Sequence, residues 1–258
     1  MYLPDRGLRL ETTIGASQLS VIVLNRIDSH LSWTSPQEDM DSPVIGFVQG
    51  SRATLMVDAC SSHRHAAEVR HEMRAHGIKE PDYVVVTHSH PDHWFGLIDF
   101  PSTVAICSRL CLARTQAMTQ MDWSHDGHRR QLEAGESYEM LDPILDAEYG
   151  ADRDGIVLRS PDIGIRGELV IDLVGLTAVV RELESSHLEG QLVVHVPEKG
   201  VVFLGDALYI KQDDEAEIAR VLAQIDALEA ETFIDSHADE PMTRAQLAAY
   251  LREYVEDL

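Results

Sequence analysis

The chemistry-bearing residues of this chain are most concentrated at positions 88–93, which read HSHPDH. Within these six positions stand His88, His90, Asp92 and His93. Neutral imidazole and carboxylate groups are the usual protein ligands of zinc and similar ions. The segment is therefore interpreted either as a metal site or as a solvated turn that happens to be polar, and the rest of the chain must distinguish the two.

The spacing of the four residues predicts how they are directed. His88 follows an apolar run, and His90 precedes Pro91, which favours extended backbone. Residues two apart in extended chain point the same way, so His88 and His90 can reach one metal together. Pro91 suits the first position of a helix, so Asp92 and His93 leave on a new element. The motif therefore predicts a second metal close to the first.

Two metals need further ligands, and three candidates lie at the ends of predicted strands. His187 stands between two strands in ESSHLEGQLVV, Asp206 ends VVFLGD, and His237 ends TFIDSH. Sites in layered α/β folds gather at strand ends. Gly205 lets the chain turn sharply before Asp206, whose two carboxylate oxygens can bridge two ions.

The elements that must position these residues alternate along the chain. Apolar β-type runs predict strands at 19–24, 44–48, 53–58, 83–87, 103–107, 168–173, 177–183, 191–196, 201–205 and 232–236. Helical spacing predicts helices at 63–76, 108–120, 213–230 and 241–256. The polar, glycine-containing stretch 121–165 is expected to be a long connection with little regular structure, forming part of a pocket wall. The pattern predicts two facing sheets with helices outside, in one domain over 1–258.

Composition limits the partners. The net charge of −23 disfavours nucleic acid, and no apolar run approaches the roughly 18 residues of a membrane helix. The N-terminal residues show no signal-peptide pattern, and the three cysteines show no disulfide-like spacing, so a cytoplasmic protein is expected.

Cys107 and Cys111 are expected to be small buried residues. The remaining histidines are expected to be surface or core residues, although His125 and His128 lie in the connection that can overhang the site.

The order of these motifs resembles that of the metallo-β-lactamase superfamily. THSHPDH is similar to its histidine-rich motif, and a lone His, a Gly-Asp and a final Ser-His follow in the family's order over residues 20–240. The resemblance implies an αββα sandwich and metal-dependent hydrolysis. It implies that the first metal is bound by His88, His90 and His187, the second by Asp92, His93 and His237, with Asp206 bridging. By the same similarity, Asp58 orients an imidazole ligand from behind.

The chain departs from the family pattern in places. ESSHLEGQ replaces a glycine-rich segment around the third ligand, and Trp94 and Phe95 replace small residues, where they are expected to narrow or line a pocket. No cysteine falls in any motif, so an antibiotic-resistance enzyme is not expected.

Tyr209 stands three residues after Asp206, as in quorum-quenching lactonases of the family, where a tyrosine holds the substrate carbonyl. A tyrosine that only packs after the strand is the alternative.

The resemblance implies a hydrolase that uses a metal-bound hydroxide on a small ester, lactone or thioester, with Asp92 moving a proton. Two divalent ions are expected, and zinc is the first choice. Iron and manganese are the alternatives, because histidine and carboxylate suit all three metals. The alternatives are a non-haem iron oxidoreductase on the same fold and a phosphodiesterase. A small-molecule substrate is expected, with no nucleic acid or membrane partner. The oligomeric state and the substrate are not predicted.

Overall fold

The computed structural model of the protein describes residues 22–37, 40–135, 137, 141–150, 153, 155–210 and 214–256. Within these residues thirteen strands form two mixed sheets. The first sheet has the order β1-β2-β3-β4-β5-β6-β7, with β1 Leu24–Arg26, β2 Leu31–Thr34, β3 Gly46–Gln49, β4 Thr54–Val57, β5 Tyr83–Val85, β6 Val104–Ser108 and β7 Ile163–Ile165. The second has the order β13-β12-β11-β10-β9-β8, with β8 Glu168–Asp172, β9 Thr177–Leu183, β10 Gln191–Val196, β11 Val201–Gly205, β12 Thr232–Asp235 and β13 Met242–Thr243.

The two sheets pack face to face through the alternation of their side chains. In β4, Leu55 and Val57 belong to the apolar cluster shared by both sheets. Met56 belongs to the cluster between the first sheet and the helices that cover its outer face, here called the first helical layer. In β10, Val194 faces the other sheet, and Val193 faces the helices that cover the outer face of the second sheet, the second helical layer. Successive strand residues point to opposite faces, so strands covered on both sides must be apolar throughout. This explains the continuous apolar runs of the sequence.

Helices cover the outer faces of both sheets. Their bounds are α1 His63–Ala75, α2 Arg109–Met118, α3 His125–Glu133, α4 Leu141–Tyr149, α5 Glu215–Asp226 and α6 Arg244–Glu256. The side chain of Ser62 caps α1 by accepting from the backbone N–H of His65, and Asp214 caps α5 in the same way. The result is helix, sheet, sheet and helix in four layers, as the sequence predicted.

The expectation of little regular structure over 121–165 was wrong. The segment contains α3, α4 and β7. Ser124 caps α3, and Leu141 and Leu145 bury an apolar stripe of α4 in the cluster under the first helical layer. The polar and glycine residues of the segment obscured these short elements, because α3 and α4 bury three residues each and β7 buries none.

Two other differences concern the N-terminal part of the first sheet. The predicted strand at 19–24 overlaps residues that lie outside the described part of the chain, and the strand described there is β1. Strand β2 was not predicted, although Leu31 and Trp33 bury one of its faces between the sheets. The other predicted strands and helices are present, with ends that differ by a few residues. No helix in the described residues is long and apolar enough to cross a membrane.

Candidate metal centre

The predicted ligands converge at one edge of the two sheets. His88 and His90 follow β5, Asp206 follows β11, and His237 follows β12. His187 lies in the loop between β9 and β10. Strands β11 and β12 are parallel neighbours, so the residues that follow them leave the sheet side by side. The strand ends therefore bring together residues that are more than 100 positions apart in sequence.

Pro91 has the position that the sequence predicted for it. It begins a short 3₁₀ turn, Pro91–His93, while His90 before it has extended backbone with φ −70° and ψ 144°. The fixed φ of proline and its missing N–H suit the first position of such a turn. The change of direction after His90 places Asp92 and His93 in a second group, while the ring of His93 stays 4.0 Å from that of His88.

Four side chains form a first group of potential ligands, namely those of His88, His90, His187 and Asp206. The Nε2 atom of His187 lies 3.2 Å from Nε2 of His88 and 3.0 Å from Nδ1 of His90. These last two atoms are 3.0 Å apart, and Oδ2 of Asp206 lies 3.3 Å from Nε2 of His187. Four atoms that can donate a lone pair to a metal thus face one small volume.

Asp92, His93 and His237 form a second group. Oδ2 of Asp92 lies 2.9 Å from Nε2 of His93 and 3.4 Å from Nε2 of His237. His93 is fully buried, and Asp92 is 8% exposed. The second group therefore presents two nitrogens and one carboxylate oxygen to a common point.

Asp206 faces both groups with different oxygens. Its Oδ2 atom is directed to the first group, while Oδ1 lies 3.4 Å from Nε2 of His93 and 3.5 Å from Nε2 of His237. Oδ1 of Asp206 and Nε2 of His93 are buried atoms without a hydrogen-bond partner in the described part of the chain. Buried polar atoms are nearly always satisfied, so the position of these two atoms fits a metal ion held between them.

The donor set fits divalent transition metals. A tetrahedral zinc ion with Zn–N bonds of about 2.0–2.1 Å separates its ligand atoms by about 3.3 Å. The first-group separations of 3.0–3.8 Å lie around that spacing. Imidazole and carboxylate also suit iron and manganese, so the ligand types alone do not select among these metals.

Asp58 supports the second group from behind. Its Oδ2 atom lies 2.8 Å from Nδ1 of His93, and its two oxygens accept from the backbone N–H of Thr87 at 2.8 Å and from the Thr87 hydroxyl at 3.1 Å. A carboxylate on one ring nitrogen fixes the tautomer of a ligating histidine and raises its basicity. Thr87 also contacts Nδ1 of His88 at 3.1 Å, so one pair of residues holds ligands of both groups.

Gly205 is required for the approach of Asp206. Its φ is +55°, a left-handed conformation that favours glycine. A Cβ atom there would lie 2.8 Å from the Thr87 side chain and 2.5 Å from the Gln191 side chain. The missing side chain lets β11 come close to the residue that holds Asp58 and His88.

Tyr209 lies between the two groups. Its ring centroid is 5.9 Å from that of His187 and 5.9 Å from that of His237. Its hydroxyl donates to Oδ1 of Asp235 at 3.1 Å, and that oxygen also accepts from the backbone N–H of His237 at 3.0 Å. Asp235 was not singled out from the sequence, although its place two residues before His237 was a signal.

The segment 121–165 contributes to one side of the centre through α4. Leu141, Leu145 and Glu148 border a small cavity that Asp92 also borders. The Glu148 carboxylate accepts from the hydroxyls of Ser42, Ser61 and Ser62, and Arg64 pairs with it at 2.8 Å. These bonds fasten α4 beside the second group.

Trp94 and Phe95 do not line a pocket, and this expectation was wrong. Both are buried in the cluster under the first helical layer, with exposures of 0% and 1%. The 3₁₀ turn at Pro91–His93 directs the following residues inward, where the indole of Trp94 donates to the Ser89 carbonyl at 3.2 Å.

His125 and His128 lie on α3 and join neither group. Nδ1 of His128 lies 2.8 Å from the Asp142 carboxylate, and Nε2 of His125 lies 3.3 Å from that of Asp146. The buried guanidinium of Arg153 pairs with both carboxylates. A guanidinium at the centre of this cluster supplies the positive charge that a metal would supply, so the cluster is structural.

Burial and charge separate the histidines into two kinds. Burial lowers the pKa of His88 well below its ordinary value, and burial together with the neighbouring His187 lowers that of His90 to about 3. Burial also opposes a charge on His93 and His237, but the carboxylates around them outweigh it. The pKa of His93 is raised well above its usual range, and that of His237 is raised to about 10.

The carboxylates shift in the opposite sense. Burial favours their neutral forms, but the neighbouring imidazoles outweigh it and lower the pKa values of Asp92 and Asp206 well below the ordinary value. The second group is thus prepared, without metal, as an arrangement of carboxylates and imidazolium ions. In contrast, burial and the negative Asp206 raise the pKa of Asp235.

Residues 40–243 match the model of the metallo-beta-lactamase superfamily. The match covers most of the chain, and the chain belongs to this superfamily. No curated protein matches it by sequence.

Solved structures with the same fold are distant in sequence. A metallo-beta-lactamase from Pontibacter korlensis is 14% identical, with a TM-score of 0.62 over 92% of this chain and 100% of that one. A metallo-beta-lactamase family protein from Thermus thermophilus is 16% identical, with a TM-score of 0.64 over 90% and 80% of the two chains. The FIM-1 metallo-beta-lactamase from Pseudomonas aeruginosa, in a mono-zinc form, is 15% identical, with a TM-score of 0.58 over 92% and 96%. At these identities the likeness shows the fold alone.

Proposed function

We propose that this protein is a dinuclear metal-dependent hydrolase of a small ester, lactone or thioester. The observation that carries the proposal is the direction of the two Asp206 oxygens, one toward each group of potential ligands. A carboxylate shared in this way suits two ions held close together, as in other two-metal sites. Zinc is the proposed metal, because the first group has the spacing of a tetrahedral nitrogen-rich site.

The bound ions would lower the pKa of water toward about 7 and stabilise the negative oxygen that forms on an attacked carbonyl. The residues of the chain itself would position the metal ligands and transfer a proton. Asp206 holds the two groups at a fixed separation, and Asp58 fixes the ring of His93. Asp92, which is slightly exposed at the edge of the second group, is the residue proposed to accept and return a proton.

Tyr209 is proposed to bind the substrate carbonyl. The support is its place between the rings of His187 and His237, one from each group of potential ligands, so that a substrate held at the metal centre would lie near its hydroxyl. Because its hydroxyl donates to Asp235, the hydrogen must turn away from that carboxylate when a carbonyl oxygen enters. Before substrate arrives, the hydrogen bond from the Tyr209 hydroxyl to Asp235 holds the tyrosine ring in place.

The setting of the enzyme is also proposed. The cysteines are free and buried, which supports a reducing cytoplasm. The excess of acidic residues supports a small-molecule substrate and disfavours nucleic acid. A phosphodiester of small size fits the same metal centre, so it belongs in any activity screen.

An activity screen on protein purified without added metal tests the proposal. The substrates are an aryl ester, a γ-lactone, a thioester and an aryl phosphodiester, each assayed before and after chelation. The expected result is hydrolysis of a carbonyl substrate that chelation abolishes and zinc restores. His88→Ala should abolish it, while His71→Ala on the outer face of α1 should not. Activity that survives chelation, or an equal rate in His88→Ala, would contradict the proposal.

A further inference from the structure

A second cavity lies on the outer side of the loop that carries His187. It has a volume of about 530 Å³ and is bordered by the start of α2, the loop between β9 and β10, and the first turns of α5. Cavities of about 300–1,000 Å³ are the usual size of small-molecule sites. None of the proposed metal ligands lines it, so this cavity is separate from the metal centre.

Three arginines face this cavity, namely Arg109, Arg166 and Arg220. Their side chains make no hydrogen bond or ion pair with the described part of the chain, whereas Arg64, Arg70, Arg153 and Arg244 each pair with a carboxylate. Acidic residues outnumber lysine and arginine by 44 to 21 in this chain. Arg52 and Arg74 likewise have no side-chain partner within the described residues, so what distinguishes Arg109, Arg166 and Arg220 is that all three border one cavity.

The glutamates of the cavity are largely occupied. Glu182 accepts from the backbone N–H of Gly167 at 2.8 Å, and the buried Glu217 accepts from the backbone N–H of Ser186. Glu189 lies 3.7 Å from the guanidinium of Arg114. Glu184 is the one glutamate lining the cavity whose carboxylate has no partner in the described residues. The lining thus carries three arginines and four glutamates, and of these the three arginines and Glu184 have no side-chain partner within the described residues.

The walls of the cavity are fastened to one another. Gly190 has φ +83°, and a Cβ atom there would lie 2.5 Å from the Ser108 hydroxyl, so the loop packs closely on the start of α2. Arg114 of α2 donates to the carbonyl of Glu189 at 2.9 Å. The contact of Ser186 with Glu217 ties the other end of the loop to α5. A ligand would therefore meet a largely formed site.

We propose that this cavity is a binding site for a small polyanion, a phosphate monoester or a dicarboxylate. The planar guanidinium forms paired hydrogen bonds with carboxylate and phosphate oxygens, and these charge-assisted bonds are the strong ones. More than one arginine calls for more than one negative charge on the ligand. The occupant would touch the loop that positions His187, where Ser185 accepts from the backbone N–H of His187 at 3.2 Å.

Calorimetric titration of the metal-loaded protein tests the site, with phenyl phosphate and succinate as probes. The pocket variant is Arg109→Gln with Arg220→Gln. The matched control is Arg52→Gln with Arg74→Gln, which changes the net charge equally at arginines that lie away from the cavity and have no side-chain partner in the described residues. Wild type and the control should bind a probe with one saturable site. The pocket variant should bind at least about tenfold more weakly, because it loses the charge-assisted hydrogen bonds of two arginines.

A gain-of-binding variant adds a second test. Glu184→Gln removes the unpaired negative charge, so it should tighten binding of both probes about two- to fivefold, an energy of roughly 0.4–1 kcal/mol. Metal content is measured in every variant. If it is unchanged, a change in probe affinity does not result from a loss of metal. Equal affinity in wild type and the pocket variant would overturn the proposal. So would an equal loss in the control variant, or the absence of saturable binding.

Discussion

The ring of His93 is held between two carboxylates, with Asp58 Oδ2 at 2.8 Å from its Nδ1 atom and Asp92 Oδ2 at 2.9 Å from its Nε2 atom. The Asp92 carboxylate lies on the side of the proposed metal, and the Asp58 carboxylate lies on the side away from it. Asp58 fixes which nitrogen is free to bind. The orientation of His93 therefore depends on a residue that touches no metal.

Replacing Asp58 with asparagine should weaken the second group without removing a ligand. The expected loss is about 10- to 100-fold in affinity for the second metal, because partners of ligating histidines have effects of that size. Zinc titration monitored by a competing chelator measures it. Asp99→Asn is the control, since Asp99 makes a similar 2.7 Å contact with the exposed His63. Two metals bound as tightly as in wild type would contradict a supporting role for Asp58.

Asp206→Asn should be more harmful than His187→Ala. The asparagine keeps the size of the side chain but removes the negative charge that faces both groups. Both metals should bind more weakly, and the rate should fall by roughly 100-fold or more, about 2.7 kcal/mol of barrier. His187→Ala should lose metal from the first group alone. Metal analysis and steady-state rates compare the two, and an Asp206→Asn variant with unchanged metal content and rate would refute bridging.

Tyr209→Phe should affect rate rather than metal content. The substitution removes the hydroxyl and keeps the ring between His187 and His237. Hydrogen bonds to charged acceptors are stronger than those to neutral ones, so the loss should appear as charge develops on the carbonyl oxygen. The expected decrease is roughly 10- to 100-fold in rate, about 1.4–2.8 kcal/mol. It should be larger for esters and lactones than for phosphodiesters.

The contact with Asp235 supplies the competing outcome for Tyr209. If the hydroxyl serves that carboxylate alone, its removal costs about 1 kcal/mol of stability and leaves the rate unchanged. Thermal unfolding and steady-state kinetics on the same preparations separate the two. A lower melting temperature with full activity on the best carbonyl substrate would mean that Tyr209 is a packing residue.

Metal binding to the two groups should differ in its dependence on pH. In the metal-free protein at pH 7, His93 and His237 carry protons because their pKa values are raised, that of His237 to about 10. A metal must displace both protons, so loading of the second group should release them and weaken as the pH falls. His88 and His90 have lowered pKa values and are already neutral at pH 7. These two histidines should release no proton.

Proton release can be measured by titrating zinc into unbuffered metal-free protein. Loading of the second group should release close to one proton from each of His93 and His237 near pH 7. His237→Ala should remove one of them. Zinc binding without proton release would show that neither imidazole is charged in the metal-free state.

The sequence was informative about the first motif of the centre, residues 88–93, because the geometry of that motif is local. The extended residue before Pro91 and the turn after it are fixed by backbone preferences, and these separate His88 and His90 from Asp92 and His93. The apolar strands were equally readable, because burial on both faces demands an uninterrupted run. Cys107 and Cys111 are buried, as expected.

Features that depend on distant contacts were not predicted. Trp94 follows a polar motif, and only the inward turn of the chain buries it. Glu148 lies in an acidic segment, where nothing in the sequence distinguishes it from its exposed neighbours. Its role in fastening α4 arises from Ser62 and Arg64, which are more than 80 positions away. Asp235 acquires its partner through the placement of Tyr209.

Anomalous diffraction from crystals of protein purified without added metal tests the central claim most directly. Two peaks are expected, about 3.5–4 Å apart as in other two-metal sites. One should lie among His88, His90 and His187 and the other among Asp92, His93 and His237, with Asp206 contacting both. A single iron peak would favour the oxidoreductase alternative, and the absence of metal from both groups, even after soaking with zinc, would contradict the account.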